Sequence, residues 1–100
     1  MNKTLNLTLK KKWFEMIASG EKTEEYREIK PYWVKRLLNI MESYNEYKEF
    51  DKVIFRNGYS KDAPSMTFRI LYIDRGYGHP KWGAPKDKQV FRIFLGERIK

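Results

Sequence analysis

The sequence has 100 residues, of which 41% are hydrophobic and 16% aromatic, which is enough for one globular domain and argues against a second. It contains 21 Lys and Arg against 13 Asp and Glu. The resulting charge of +8 favours polyanionic partners, with nucleic acid first, over acidic metabolites of a single charge. The simpler alternative is that the lysines only keep a small protein in solution.

Several residue patterns are missing from the sequence, and each excludes a class of site. Without cysteine there is neither a disulfide framework nor a thiolate metal site. His79 is the single histidine and gives poor support for a zinc site or a Ser-His-Asp triad, so we expect no metal and no cofactor. No stretch approaches the ~20 apolar residues of a membrane span, and the N-terminal segment lacks the apolar centre of a leader. We therefore expect a cytoplasmic protein that does not act at membranes.

The first third of the chain predicts two strands around a helix. Period-two alternation predicts a first strand, with an apolar side formed by Leu5, Leu7 and Leu9. The period then becomes helical between residues 10 and 19, and Gly20 stands where a glycine ends a helix. Residues 23–29 alternate again and predict the second strand.

The remainder of the chain predicts a second helix followed by three further strands. Pro31 is suited to open this helix, whose apolar face consists of Trp33, Val34, Leu37, Leu38 and Met41. The polar segment 42–49 lacks a period and is interpreted as a connection. Residues 52–55 and 66–73 predict two strands joined by an irregular loop that contains Asn57 and Gly58. Residues 74–88 predict an ordered loop, and residues 90–95 the last strand.

This order of elements predicts an α+β fold for the single domain 1–100. The economical arrangement is a sheet of mostly antiparallel strands that closes on itself, with the two helices packed at its side.

The stretch Ser19–Glu28, SGEKTEEYRE, concentrates charged side chains directly after the first helix. If residues 23–29 form a strand, Glu25 and Arg27 project from the same face, and Lys22 stands at its entry beside Gly20. An arginine offers a planar fork of donors to a phosphate or a base edge, a lysine supplies a point charge, and a glutamate accepts from an exocyclic amine. The alternative is an ion-pair cluster that closes the barrel and binds nothing.

Gly20, Lys22, Glu25 and Arg27 match the GxKxxExR signature, and the chain here resembles the ASCH domains, small PUA-like proteins related to RNA-binding modules. The similarity covers residues 5–33 and 80–97 and is weak between 42 and 65. It implies a PUA-like β-barrel of about five to six strands with two flanking helices. It also implies that the signature residues line a cleft for RNA or a nucleotide.

Some ASCH relatives are amidohydrolases acting on N4-acetylcytidine, with a lysine, a threonine three positions later and a downstream glutamate. Here Glu25 stands three positions after Lys22, and the neighbouring Thr23 does not restore the missing nucleophile, which counts against hydrolysis. As an alternative function, Lys22 with a lowered pKa acts as base and Glu25 activates water, on a modified nucleoside or on RNA.

Three further residues are candidates for nucleic-acid contacts. Trp82 lies among Gly, Pro and Lys and is placed either to stack on a base or to plug one end of the barrel. Arg75 and Lys81 are candidates for phosphate contacts near the same loop. Trp13 and Trp33 fall on the apolar faces of the helices and are predicted to belong to the core.

Overall fold

The five strands found among the described residues belong to one curled sheet. The computed structural model describes residues 3–39, 41 and 46–100. In chain order the elements are β1 (Thr4–Leu9), α1 (Lys11–Ala18), β2 (Glu24–Glu28), α2 (Pro31–Leu37), β3 (Lys52–Asn57), β4 (Ser65–Gly76), a 3₁₀ turn (Pro80–Trp82) and β5 (Val90–Arg98). The strand order is β1-β3-β4-β5-β2, in which β1 and β3 are parallel and the other three pairings are antiparallel.

The α+β class, the two helices and the mostly antiparallel sheet are confirmed. The sheet forms a curled half barrel, and β1 and β2 are its two edge strands, each paired on one side only. Alternate side chains of the strands face the main core, which consists of Leu5, Leu7, Leu9, Ile17, Leu37, Leu38, Val53, Phe55, Met66, Phe68, Phe91, Ile93 and Leu95. Neither helix is long and apolar enough to cross a membrane, as far as the described residues show.

The end of α1 directs the chain into β2 through a tight turn. Gly20 has a φ of +86°, a conformation that suits glycine, and its N–H donates to the carbonyl of Ile17 at 3.1 Å. The N–H of Lys22 donates to the carbonyl of Met16 at 3.0 Å. The prediction that Gly20 ends the helix is therefore confirmed, and the turn fixes the position of Lys22.

The second helix is shorter than predicted. It begins at Pro31 as expected but ends at Leu37, and Leu38 is extended and forms an isolated bridge with Tyr47. Leu37 and Leu38 are consecutive and both fully buried, and the pairing with the returning chain places Leu38 in the core without continuing the helix. The prediction that Met41 lies on the apolar face of this helix is also wrong, because the helix ends at Leu37 and Met41 is exposed. The connection predicted at 42–49 falls partly outside the described residues.

The fourth strand is longer than predicted, because residues 74–76 extend it instead of opening the loop. Asp74 pairs with Arg92, and the two side chains form a bidentate ion pair with both N–O distances at 2.7 Å. Gly76 leaves room for the guanidinium group, because a Cβ there would stand 2.6 Å from the Cζ of Arg92. These cross-strand contacts could not be seen from the local glycine and charge pattern.

Candidate functional site

A cleft of about 860 Å³ lies between the two edge strands of the half barrel. Residues 6–9 of β1 line one side and residues 25–28 of β2 the other, and side chains of α1 and α2 complete its walls. Two arginines reach across this gap. Arg27 donates through Nη2 to the carbonyl oxygen of Thr8 at 3.3 Å, and Arg36 donates through Nη2 to the carbonyl oxygen of Asn6 at 3.2 Å.

The structure brings Lys22, Glu25 and Arg27 together at the floor of this cleft. Lys22 Nζ lies 2.7 Å from Glu25 Oε1, and Arg27 Nη1 contacts Glu25 Oε2. Glu25 Oε1 has no well-angled hydrogen bond among the described residues, so its contact with Lys22 is an ion pair. Lys22 and Glu25 are each only 3% exposed, whereas the Arg27 side chain is 16% exposed. Arg27 is therefore the member of the triad that solvent or a ligand reaches first.

Lys22 is enclosed by aromatic rings and one carbonyl group. Its Nζ donates to the carbonyl oxygen of Trp82 at 2.7 Å and lies 4.4 Å from the ring centroid of Trp13 and 5.5 Å from that of Tyr26. Burial lowers the pKa of Lys22 below its usual value of 10.5, although the negative charge of Glu25 acts in the opposite direction. The ammonium group thus ties the 3₁₀ turn to the start of β2.

The other end of the cleft is built around Trp33. The guanidinium carbons of Arg27 and Arg36 lie 5.2 and 5.8 Å from the Trp33 ring centroid. The Tyr32 ring meets Trp33 edge-on at 4.8 Å, and Arg36 Nη1 donates to the Tyr32 hydroxyl at 3.2 Å. Glu25 links this end to the Lys22 end, because its two oxygens face the two cations.

Tyr26 holds the segment that carries Trp82 against β2. Its hydroxyl accepts from the backbone N–H of His79 at 3.0 Å and donates to Glu24 Oε1 at 3.1 Å. Gly78 lies directly on the Tyr26 ring, since a Cβ there would be 2.6 Å from two ring carbons. This packing leaves no room for any side chain at residue 78.

Burial raises the pKa of Tyr26 to about 12, although the N–H of His79 opposes this shift. Because the folded value exceeds the unfolded value of about 10, the stability that Tyr26 contributes is complete below pH 10 and is lost as the pH rises from 10 to about 12. In an absorbance titration of tyrosinate, we expect a late step near pH 12 that Tyr26→Phe removes. A titration curve that is unchanged in the variant would contradict this assignment.

The residues that line the cleft combine cations with aromatic rings. Two carboxylates, Glu25 and Glu28, face a larger set of cations: Lys10, Lys22, Arg27, Lys30 and Arg36. The aromatic residues are Trp13, Tyr26, Tyr32, Trp33, Tyr59 and Trp82. The prediction of Trp13 as a core residue is wrong, because its ring is only partly buried and lines the cleft, while Trp33 lines the cleft and also packs against the core.

Sequence reasoning missed the contribution of α2. Tyr32 and Arg36 are four positions apart, which places them on one face of a helix, and this spacing could have indicated a second polar wall. No spacing in the sequence indicated Tyr59 or Lys10. Lys10 lies between β1 and α1 and Tyr59 between β3 and β4, and only the folded sheet brings these two segments to the cleft.

The remaining predicted residues lie differently. Trp82 lines the cleft, where its ring contacts His79 edge-on and its carbonyl binds Lys22. Lys81 Nζ lies 5.5 Å from the Trp82 ring centroid but is not part of the cleft lining. Arg75 also lies outside the lining, and its guanidinium carbon is 5.8 Å from the ring centroid of Tyr47. Nucleic-acid contacts by Arg75 and Lys81 stay predictions.

Within the part of the chain that the structure describes, no group of three or more His, Asp or Glu side chains is arranged to hold a metal ion. Comparison of the chain with protein-family models, with curated proteins and with solved structures gave no match in any of the three.

Proposed function

We propose that the protein is an ASCH-like domain that binds single-stranded RNA or a nucleotide in the cleft between β1 and β2. The observation that carries this proposal is the joint presence of five cations, two carboxylates and six aromatic residues around one opening of about 860 Å³. Cationic grooves with aromatic platforms are the usual means of binding single-stranded nucleic acids, since the cations follow phosphates and the rings stack on bases. The resemblance of Gly20, Lys22, Glu25 and Arg27 to the ASCH signature points to the same ligand class.

The ion-pair geometry assigns different tasks to the three signature side chains. Glu25 contacts both Lys22 and Arg27, so it holds the Arg27 guanidinium in place at the partly exposed side of the triad. Lys22 offsets the negative charge of Glu25 and is itself shielded. Arg27 and Arg36, which flank Trp33, are then the cations best placed for direct phosphate contacts.

Binding of a fluorescein-labelled single-stranded RNA, followed by anisotropy across a salt series, tests this proposal. Each contacted phosphate contributes a slope of about −0.7 to the dependence of log affinity on log salt. We expect the combined change Arg27→Ala and Arg36→Ala to weaken binding about tenfold or more at low salt and to reduce the slope by about 1 to 2.

The matched control is the combined change Arg69→Ala and Arg98→Ala, which removes the same net charge from two exposed residues outside the cleft. This control should keep most of the affinity, and circular dichroism should show that both variants remain folded. If the wild-type protein does not bind at low salt, or if the two double variants lose affinity equally, the cleft is not the binding site.

A second candidate function is hydrolysis of a modified nucleoside such as N4-acetylcytidine, or of RNA. It is favoured by one observation, the burial of the Lys22 amine 2.7 Å from Glu25 Oε1, since burial lowers the pKa of that amine and favours its neutral, basic form. Thr23 is exposed and does not line the cleft, so the nucleophile in this alternative is a water molecule that Glu25 activates. Incubation with N4-acetylcytidine and with labelled RNA, followed by chromatography, should show turnover that Lys22→Met abolishes. Lack of turnover by the wild-type protein would leave binding alone.

A further inference from the structure

The six aromatic residues of the cleft fall into two groups that differ in what their rings contact. Trp13, Trp33 and Trp82 each have a cation over the ring, at 4.4, 5.2 and 5.5 Å from the centroid. Tyr26 lies against Gly78 and also has Lys22 over its ring. Each of these four rings is thus already in contact with a protein group, and each is partly or largely buried.

Tyr32 and Tyr59 form the second group, and they differ from the first in their high exposure, although the Tyr32 ring also meets Trp33 at 4.8 Å. Tyr32 is 59% exposed and Tyr59 is 93% exposed, so both rings stand at the rim of the cleft with surface available to a ligand. They come from different elements, since Tyr32 belongs to the first turn of α2 and Tyr59 to the connection between β3 and β4. Exposed tyrosines also occur elsewhere on the protein, and what distinguishes these two is their place beside a cationic opening.

We infer that Tyr32 and Tyr59 are base-stacking residues and that the ligand is a single strand carrying at least two bases. This inference rests on the proposed function and names the ligand class within it. A free nucleotide has one base and can stack on one of the two rings. A single strand has consecutive bases, so two of them can stack on two rings from separate elements. The cleft volume of about 860 Å³ lies within the ~300–1,000 Å³ range of small-molecule sites, so it is the separate positions of the two tyrosines, and not the volume, that favour a strand.

The charges of the cleft complement such a strand. Arg36 binds the Tyr32 hydroxyl and lies over Trp33, so a cation stands beside the Tyr32 ring where the backbone of a stacked nucleotide would pass. Stacking on tyrosine tolerates every base because each base has a π-face, so the expected binding shows little sequence preference.

The experiment compares strands with and without bases. The probes are a short fluorescein-labelled oligoadenylate RNA, an abasic strand with the same number of phosphates, the DNA strand of the same sequence, and AMP as competitor. We expect the wild-type protein to bind the base-bearing strands about tenfold or more tightly than the abasic strand, because alanine substitution of a stacking residue costs ~1–3 kcal/mol per base. AMP should compete only weakly.

The variants are Tyr32→Ala combined with Tyr59→Ala, and Tyr59→Trp alone. The double alanine variant should bind the base-bearing and abasic strands almost equally, whereas Tyr59→Trp should keep the preference for bases. Tyr77→Ala is the control, because Tyr77 is 58% exposed and does not line the cleft. It should behave as the wild-type protein does.

The outcomes separate this inference from the proposed function. If the double alanine variant keeps the full preference for base-bearing strands, or if the wild-type protein has none, stacking on Tyr32 and Tyr59 is refuted while the arginine test of the cleft still stands. If AMP competes as well as the strand, the ligand is a nucleotide and the inference of a strand is refuted. If no probe binds at low salt, the proposed function and the inference fail together.

Discussion

We expect Glu25→Gln to lower the free energy of unfolding by about 3–5 kcal/mol, a large share of the ~5–15 kcal/mol that stabilises a domain of this kind. Glu25 is buried between Lys22 and Arg27 and is the carboxylate that faces both cations. A glutamine keeps the shape of the side chain but leaves two positive charges across a neutral amide, in a site that water scarcely reaches. Urea unfolding followed by tryptophan fluorescence measures the loss.

Two companion variants identify the cause. Glu97→Gln breaks the exposed ion pair with Arg69 and should change the stability by less than about 1 kcal/mol. Combining Lys22→Met with Glu25→Gln removes one of the two cations that the single substitution would leave unpaired, so the double variant should be more stable than Glu25→Gln alone. A double variant that is less stable than the single one would show that charge imbalance is not the origin of the effect.

A methyl group at residue 78 should be almost as damaging as the loss of Glu25. We expect Gly78→Ala to cost ~3 kcal/mol, because the added Cβ would lie 2.6 Å from Cε1 and Cζ of Tyr26 and 2.7 Å from the Cβ of Ala84. An aromatic ring cannot yield as a flexible chain end does, so the segment around Trp82 has to move away from β2. The same urea experiment measures this loss.

Gly58→Ala provides the matched control for the packing argument. Gly58 has a φ of +94°, but a Cβ there would meet no atom within 4 Å, so only backbone strain of about 1 kcal/mol is expected. A double-mutant cycle of Gly78→Ala with Tyr26→Leu should show that the two changes together cost less than their sum. Additive costs would indicate that Gly78 acts through its backbone and not through contact with the ring.

The local signals of the sequence predicted most of the elements. Alternation gave the core positions of β1, and Gly20 and Pro31 marked one helix end and one helix start correctly, because these features depend on neighbouring residues. The early end of α2 at Leu37 and the extension of β4 to Gly76 depend on pairing with distant segments. The hydrophobic periodicity of a strand or helix does not reveal such long-range pairings.

In the candidate site too, features set by neighbouring residues were predicted and features set by distant segments were not. The spacing of Lys22, Glu25 and Arg27 predicted their association, which the structure shows. Their burial was not predicted, because Lys22 is covered by Trp13 and by the Trp82 carbonyl, which come from outside the signature. The spacing of Tyr32 and Arg36 could have placed both on one face of α2, but that this face borders the cleft depends on where α2 lies relative to β1.

The arginine contacts to Asn6 and Thr8 also bear on how the protein behaves at high concentration. A free strand edge is a template on which the strand of another molecule can align and start aggregation. On β1, guanidinium groups already occupy two of the carbonyls that an incoming strand would use, and their charge opposes a second cationic copy. The same two side chains that we assign to phosphate binding thereby oppose the pairing of a second strand at the free edge of β1.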